Sequence, residues 1–154
     1  MGTIVLGLGN PILGDDGIGC RVVEELEKRL GGRVGRDVEI EPFYRGGIAL
    51  MERLIGHEKA ILVDSIQGHH GLPGTLVRLT LDHLPTLNVD SSHDASLKTA
   101  IEMGRRLGAE LPGEIVIFGV EIAQQSDFWE GLSAEVEGSV EPTVLAVLEE
   151  LAKS

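Results

Sequence analysis

Three side chains that could together bind a divalent cation lie beside the ends of predicted strands and helices. Asp16 follows a Gly-rich turn after the first predicted strand, Asp64 ends the third predicted strand, and His93 lies where a helix is predicted to begin. A helix N-terminus disfavours a cationic imidazole, so this position favours the neutral form of His93 that binds metals. Two carboxylates and one neutral imidazole could form a facial set of ligands with open coordination positions for a borderline divalent ion.

Each of these residues also has a simpler interpretation. Asp16 could be the N-cap of the following helix, because Asp is among the preferred residues there. Asp64 could cap a turn that begins at Ser65, and His93 could be a surface or capping group. The three residues are far apart in sequence, so only the fold could assemble them into one site.

The Gly-rich turn before Asp16 is not typical of a nucleotide site. In the segment GLGNPILGDDGIG, Ile12 takes the position of the third glycine in a dinucleotide fingerprint. Asp15 and Asp16 would repel a pyrophosphate at the start of the next helix, whereas they would attract a cation. The sequence therefore favours a cation over a nucleotide at this turn.

Apolar patterning predicts strands that alternate with helices. The continuous apolar runs at 3–8 and 59–63 are typical of strands buried on both faces. We therefore predict one α/β domain over residues 1–154, with three layers and a mostly parallel sheet covered by helices on both faces. Ligands of such sheets bind beyond the carboxyl ends of the strands, where Asp16 and Asp64 lie. The predicted strands are 3–8, 37–43, 59–63, 75–81 and 114–120, and the predicted helices are 18–30, 48–54, 91–107 and 134–151.

The composition limits the classes of partner. The 154 residues include 13 Lys and Arg against 25 Asp and Glu, a net charge of −12. Nucleic acids and anionic membrane surfaces are bound mainly through Lys and Arg, so neither is expected as a partner. Cys20 is the single cysteine; this suits a reducing cytoplasm, and we interpret Cys20 as a small core residue. With no coiled coil in the sequence, we expect a monomer.

Five segments occur in an order that carries a family resemblance. They are GLGNPILGDDGIG after the first strand, LVDSIQ at the third, PGT before the fourth, SSHDASL at a helix start and GLSAEVEGSVEPTVLAVL in the last helix. Together they resemble the hydrogenase maturation proteases, the nickel-dependent endopeptidases that trim the large subunit of nickel–iron hydrogenases. The resemblance covers nearly the whole chain and implies a twisted five-stranded sheet between helices.

The resemblance assigns contact with nickel to Asp16, Asp64 and His93, the positions already selected from the predicted elements. It also implies that the nickel is carried by the substrate, a large-subunit precursor, rather than held by the free enzyme. The enzyme would then remove a short C-terminal extension from a nickel-loaded precursor. The cation could polarise the scissile carbonyl or activate a water molecule. Alternatively, Asp15 or Asp16 could act as a general base.

Arg45 departs from the family pattern. The family usually carries an Asp directly before the two glycines that follow the second strand, which here are Gly46 and Gly47. A guanidinium there reverses the local charge, so a non-catalytic relative that binds nickel or a metalloprotein is a second hypothesis. Peptidyl-tRNA hydrolase is a third, because its sheet also begins with a Gly-x-x-Asn-Pro turn. This acidic chain lacks the Arg-His-Asn segment of that family.

Overall fold

The computed structural model describes residues 2–31, 37–44, 46–67, 71–82, 97–123 and 131–153. Its strands are β1 (Thr3–Leu8), β2 (Val38–Phe43), β3 (Lys59–Ile66), β4 (Leu76–Leu79) and β5 (Glu114–Glu121). These strands form one sheet in the order β2-β1-β3-β5-β4. The β4–β5 pair is antiparallel and the other pairs are parallel. The prediction of a mostly parallel sheet is therefore confirmed.

The described helical segments are a 3₁₀ turn (Gly14–Gly17), α1 (Ile18–Leu30), α2 (Gly47–Leu54), α3 (Leu97–Arg106), α4 (Ala134–Glu137) and α5 (Val140–Ala152), and the last two follow β5. The single helix predicted over 134–151 is wrong, because it is divided at Ser139. The backbone N–H and the hydroxyl of Ser139 both donate to the carbonyl oxygen of Val136, at 2.9 and 2.5 Å. Such local bonding competes with the helical pattern. None of the helices in the described ranges is long and apolar enough to cross a bilayer.

Two apolar clusters cover the two faces of the sheet. Ile4 and Leu6 of β1 pack with side chains of α2 and α3. Val5 lies on the opposite face with side chains of α1, α4 and α5. Every residue of β1 and of β3 is buried, because both strands are central and covered on both sides. This confirms the predicted three-layer α/β fold.

Two glycines let the start of α1 approach the sheet closely. A Cβ atom on Gly7 would lie 2.1 Å from the carbonyl oxygen of Gly19. A Cβ atom on Gly19 would lie 2.3 Å from the carbonyl oxygen of Leu8 and 2.5 Å from that of Val63. No larger residue fits at either position unless the backbone moves. This contact holds the Gly-rich turn beside the carboxyl ends of β1 and β3, and so it determines where Asp16 lies.

Candidate active site

The structure brings Asp16 and Asp64 together at the carboxyl edge of the sheet. Asp16 lies in the 3₁₀ turn that follows β1, and Asp64 lies near the end of β3. The two strands are parallel neighbours, with Gly7 paired to Val63. The loop after β1 is therefore adjacent to the residues that follow Val63.

The Asp16 carboxylate is held by two hydrogen bonds from different elements. The backbone N–H of Asn10 donates to Oδ2 at 2.8 Å, and the hydroxyl of Ser65 donates to Oδ1 at 2.7 Å. The N-cap of α1 is Gly17, and no side chain caps the helix there. The capping interpretation of Asp16 is therefore wrong, because the 3₁₀ turn places its carboxylate against the loop and β3 instead of the helix amides.

Asp64 is a buried carboxylate inside a strand. Its side chain accepts a hydrogen bond from the backbone N–H of Ser65, with 2.8 Å between Ser65 N and Asp64 Oδ1. β3 continues to Ile66, in register with β5, so no turn begins at Ser65 and the turn-cap interpretation of Asp64 is wrong. Burial raises the pKa of Asp64 well above its usual range, and the nearby charge of Asp16 raises it further.

Ser65 joins the two carboxylates, a contact that the sequence did not predict. It is fully buried, and it is the only described residue that donates to both Asp16 and Asp64. The available signal was a hydroxyl within an otherwise apolar strand, which needs a hydrogen-bond partner when it is buried. Which acceptor it finds depends on the fold.

Asp15 has a different role from its neighbour. Its two carboxylate oxygens accept hydrogen bonds from the backbone N–H and the hydroxyl of Ser133, at 2.6 and 2.8 Å. Ser133 is also the N-cap of α4, where its hydroxyl accepts from the N–H of Val136. Asp15 therefore joins the Gly-rich turn to the start of α4.

Cys20 is half-buried beside the carboxylates, so its interpretation as a core residue is wrong. Its Sγ atom lies 3.6 Å from the carbonyl oxygen of Gly9. Because α1 approaches the turn closely, Cys20 contacts the turn and belongs to neither apolar cluster. It lines an open cleft of about 340 Å³. Burial, together with the charges of Asp16, Glu24 and Asp64, raises the pKa of the thiol to about 11. The thiol is therefore protonated at neutral pH and is not an activated nucleophile.

His93 and Arg45, the other two residues of interest in the sequence, lie outside the described residues. Within the described ranges, no three His, Cys, Asp or Glu side chains form a group that could hold a metal ion. The assembled part of the site is thus a pair of carboxylates joined through Ser65. Two acidic groups at low exposure attract a cation, and this attraction is stronger than in bulk water.

Comparisons with known proteins identify the family of the chain. A sequence model described as hydrogenase maturation protease matches residues 20–150. The hydrogenase 2 maturation protease of Escherichia coli is 33% identical over 156 aligned residues, which cover 100% of this chain and 93% of that protein. The peptidyl-tRNA hydrolase hypothesis is therefore wrong.

Solved structures show the same relationship. The hydrogenase maturating endopeptidase HybD from Escherichia coli superposes with a TM-score of 0.81 and 31% identity, over 99% of this chain and 93% of that one. The hydrogenase 2 maturation peptidase from a Thaumarchaeota archaeon superposes with a TM-score of 0.70 and 29% identity, over 100% of both chains. The protein is thus a peptidase, and the chain belongs to the hydrogenase maturation protease family.

Proposed function

We propose that this peptidase removes the C-terminal extension of a nickel–iron hydrogenase large-subunit precursor after nickel has been inserted. The observation that carries the proposal is the pair of carboxylates, Asp16 and Asp64, joined through Ser65 at the carboxyl edge of the sheet. The nickel ion belongs to the substrate. The enzyme would therefore cleave only a precursor in which nickel insertion is complete.

The electrostatics of the pair support recognition of a cation. Burial and the neighbouring Asp16 both disfavour the ionised form of Asp64, as its raised pKa indicates. A divalent ion delivered by the substrate would stabilise both carboxylates at once. Nickel accepts oxygen and nitrogen ligands, so we assign Asp16, Asp64 and His93 to free positions on the substrate's nickel.

The cation could assist hydrolysis of the peptide bond in either of two ways. It could polarise the scissile carbonyl, or it could activate the attacking water molecule. If a carboxylate acts as the general base, Asp16 is the better candidate of the adjacent pair. Both oxygens of Asp15 are engaged by Ser133, whereas Asp16 lies beside Asp64 at the strand ends.

Intact-mass spectrometry tests the proposal. Nickel-loaded and nickel-free forms of a candidate large-subunit precursor are incubated with the protein under the same conditions. We expect the loss of one C-terminal peptide from the nickel-loaded form alone. Equal cleavage of both forms would contradict nickel recognition. Binding without cleavage, for every candidate precursor tested, would contradict the proposed removal of the C-terminal extension.

We also propose that the protein acts as a monomer in the cytoplasm, on a protein partner and not on nucleic acid or a membrane. The net charge of −12 and the single cysteine support this setting. Sedimentation velocity at micromolar concentrations tests the oligomeric state. We expect a single species at the monomer mass of 16.5 kDa, and a stable dimer would contradict the proposal.

A further inference from the structure

Ser65 connects the two acidic residues of the site through separate atoms. Its hydroxyl donates to Asp16 Oδ1, with 2.7 Å between the oxygens, and its backbone N–H donates to Asp64 Oδ1, with 2.8 Å between the atoms. The residue has 0% exposure and lies in β3, where it is paired with Val120 of β5. Its position is therefore set by the sheet and not by solvent.

The hydroxyl contributes a constraint that no other side chain among the described residues supplies. Asp16 Oδ2 accepts from the backbone N–H of Asn10, a donor on the Gly-rich loop. The Ser65 hydroxyl holds the other oxygen from β3. With one donor on each oxygen, both the direction and the plane of the carboxylate are fixed. Without the hydroxyl, the carboxylate would keep only the loop donor.

We propose that Ser65 is a positioning residue for the peptidase reaction, whose hydroxyl orients the Asp16 carboxylate relative to Asp64. The inference rests on the proposed function in taking Asp16 as a group that contacts the reacting centre. Small errors in the placement of such a group lower reaction rates strongly, because alignment is lost. A buried hydrogen bond to a charged acceptor is also stronger than a neutral one.

The Ser65→Ala variant isolates the hydroxyl. It removes the bond to Asp16 and keeps the backbone N–H that donates to Asp64. Ser139→Ala is the matched control, because Ser139 is also buried and its hydroxyl also donates one hydrogen bond, to the carbonyl oxygen of Val136. Both variants should lose similar stability. We expect kcat/KM to fall about 10-fold or more in Ser65→Ala and less than about 2-fold in Ser139→Ala.

Two further readouts separate orientation from a general effect on folding. Ser65→Thr restores a hydroxyl, and we expect it to recover most of the lost rate. The carbon-13 shift of the Asp16 carboxyl group should change in Ser65→Ala and stay unchanged in Ser139→Ala. This shift is measured without substrate, so it does not depend on the proposed function. If Ser65→Thr does not fold, the comparison between the two alanine variants decides.

The outcomes distinguish this inference from the proposed function. Equal cleavage of nickel-loaded and nickel-free precursor by the wild type would overturn nickel recognition, while a slow Ser65→Ala variant would still support positioning. A Ser65→Ala variant with the wild-type rate would overturn positioning and leave the proposed function standing. Equal losses of kcat/KM in Ser65→Ala and Ser139→Ala would also overturn positioning.

Discussion

A buried carboxylate lies at each end of β3, and the two have opposite electrostatic surroundings. Glu150 of α5 lies beside the start of the strand, and Asp64 lies near its end. At the first residue of the strand, the Lys59 ammonium group lies 2.7 Å from a carboxylate oxygen of Glu150, and Arg78 also pairs with Glu150. Near the other end, Asp64 lies close to Asp16, and no Lys or Arg of the described residues pairs with it. The carboxylate at one end is neutralised within the chain, whereas the other end brings two acidic side chains together without a cationic partner among the described residues.

The pKa values move in opposite directions for this reason. Burial alone would raise the pKa of Glu150, but the hydrogen bonds from Lys59 and Arg78 outweigh it and lower that pKa to about 2. Burial raises the pKa of Asp64, and the charge of Asp16 adds to the effect. The Glu150 end is thus built for stability. At the Asp64 end, no Lys or Arg of the described residues neutralises the carboxylates, which supports the proposal that the substrate supplies a cation there.

The largest expected effect is on activity at the Asp64 end. Asp16→Asn keeps the size of the side chain and removes its charge. We expect the rate of precursor cleavage to fall by about 100-fold or more, because the proposed contact of this carboxylate with the reacting centre is lost. Cleavage is measured by intact mass under single-turnover conditions. A wild-type rate in this variant would show that Asp16 has no part in the reaction.

The opposite end should show the reverse pattern. Glu150→Gln removes the buried carboxylate partner of Lys59 and leaves only the exposed carboxylate of Glu114, 3.4 Å from the ammonium group. We expect the free energy of unfolding to fall by about 3 kcal/mol, since it is costly to remove the buried partner of a buried charge. Urea unfolding measures this loss, and the folded protein should still cleave precursor at close to the wild-type rate. Unchanged stability, or a loss of activity in the folded protein, would break the contrast between the two ends.

The low pKa of Glu150 gives a pH dependence with a definite sign. The value is about 2 in the folded protein, below the roughly 4.3 of a free Glu side chain. The stabilisation by Glu150 is therefore complete above pH 4.3 and is lost as the pH falls towards 2. Between pH 6 and pH 3, we expect the stability difference between wild type and Glu150→Gln to shrink by about 2 kcal/mol. A constant difference would contradict the ion-pair account.

The smallest expected effect is a gain in stability at the site itself. Asp64→Asn removes a carboxyl group whose ionised form is disfavoured by burial and by Asp16, and it keeps a carbonyl oxygen that can accept from Ser65. We expect the free energy of unfolding at pH 7 to rise by about 1 kcal/mol. Asp82→Asn is the control, because Asp82 is exposed and pairs only weakly with Lys98, and it should change little. A destabilised Asp64→Asn would mean that the site is not electrostatically strained.

The sequence was sufficient to predict the fold class, the central strands and the edge of the sheet where the site lies. Continuous apolar runs predicted β1 and the start of β3, because strands covered on both faces need apolar residues at every position. The rule that ligands bind at the carboxyl ends of parallel strands then selected Asp16 and Asp64. The structure brings these two side chains together through Ser65. The part played by His93 remains a prediction, since His93 lies outside the described residues.

Contacts between side chains distant in the sequence were not predictable. The bonds from Ser133 to Asp15 and from Ser65 to Asp16 join residues whose proximity depends on the packing of α4 and β3 against the turn. The capping interpretation of Asp16 failed for a related reason. A 3₁₀ turn precedes α1, so the N-cap of α1 is Gly17 instead of Asp16. With this difference of one residue, the Asp16 carboxylate accepts from Asn10 and Ser65 instead of the helix amides.

X-ray absorption at the nickel edge tests most directly whether the two carboxylates contact the substrate's metal. The sample is a nickel-loaded precursor with residues at the scissile bond substituted to block cleavage, measured alone, with wild-type protein and with Asp16→Asn. We expect the number of oxygen and nitrogen ligands on nickel to increase with the wild type and to increase less with Asp16→Asn. An unchanged nickel spectrum in a complex shown by gel filtration to have formed would contradict the account.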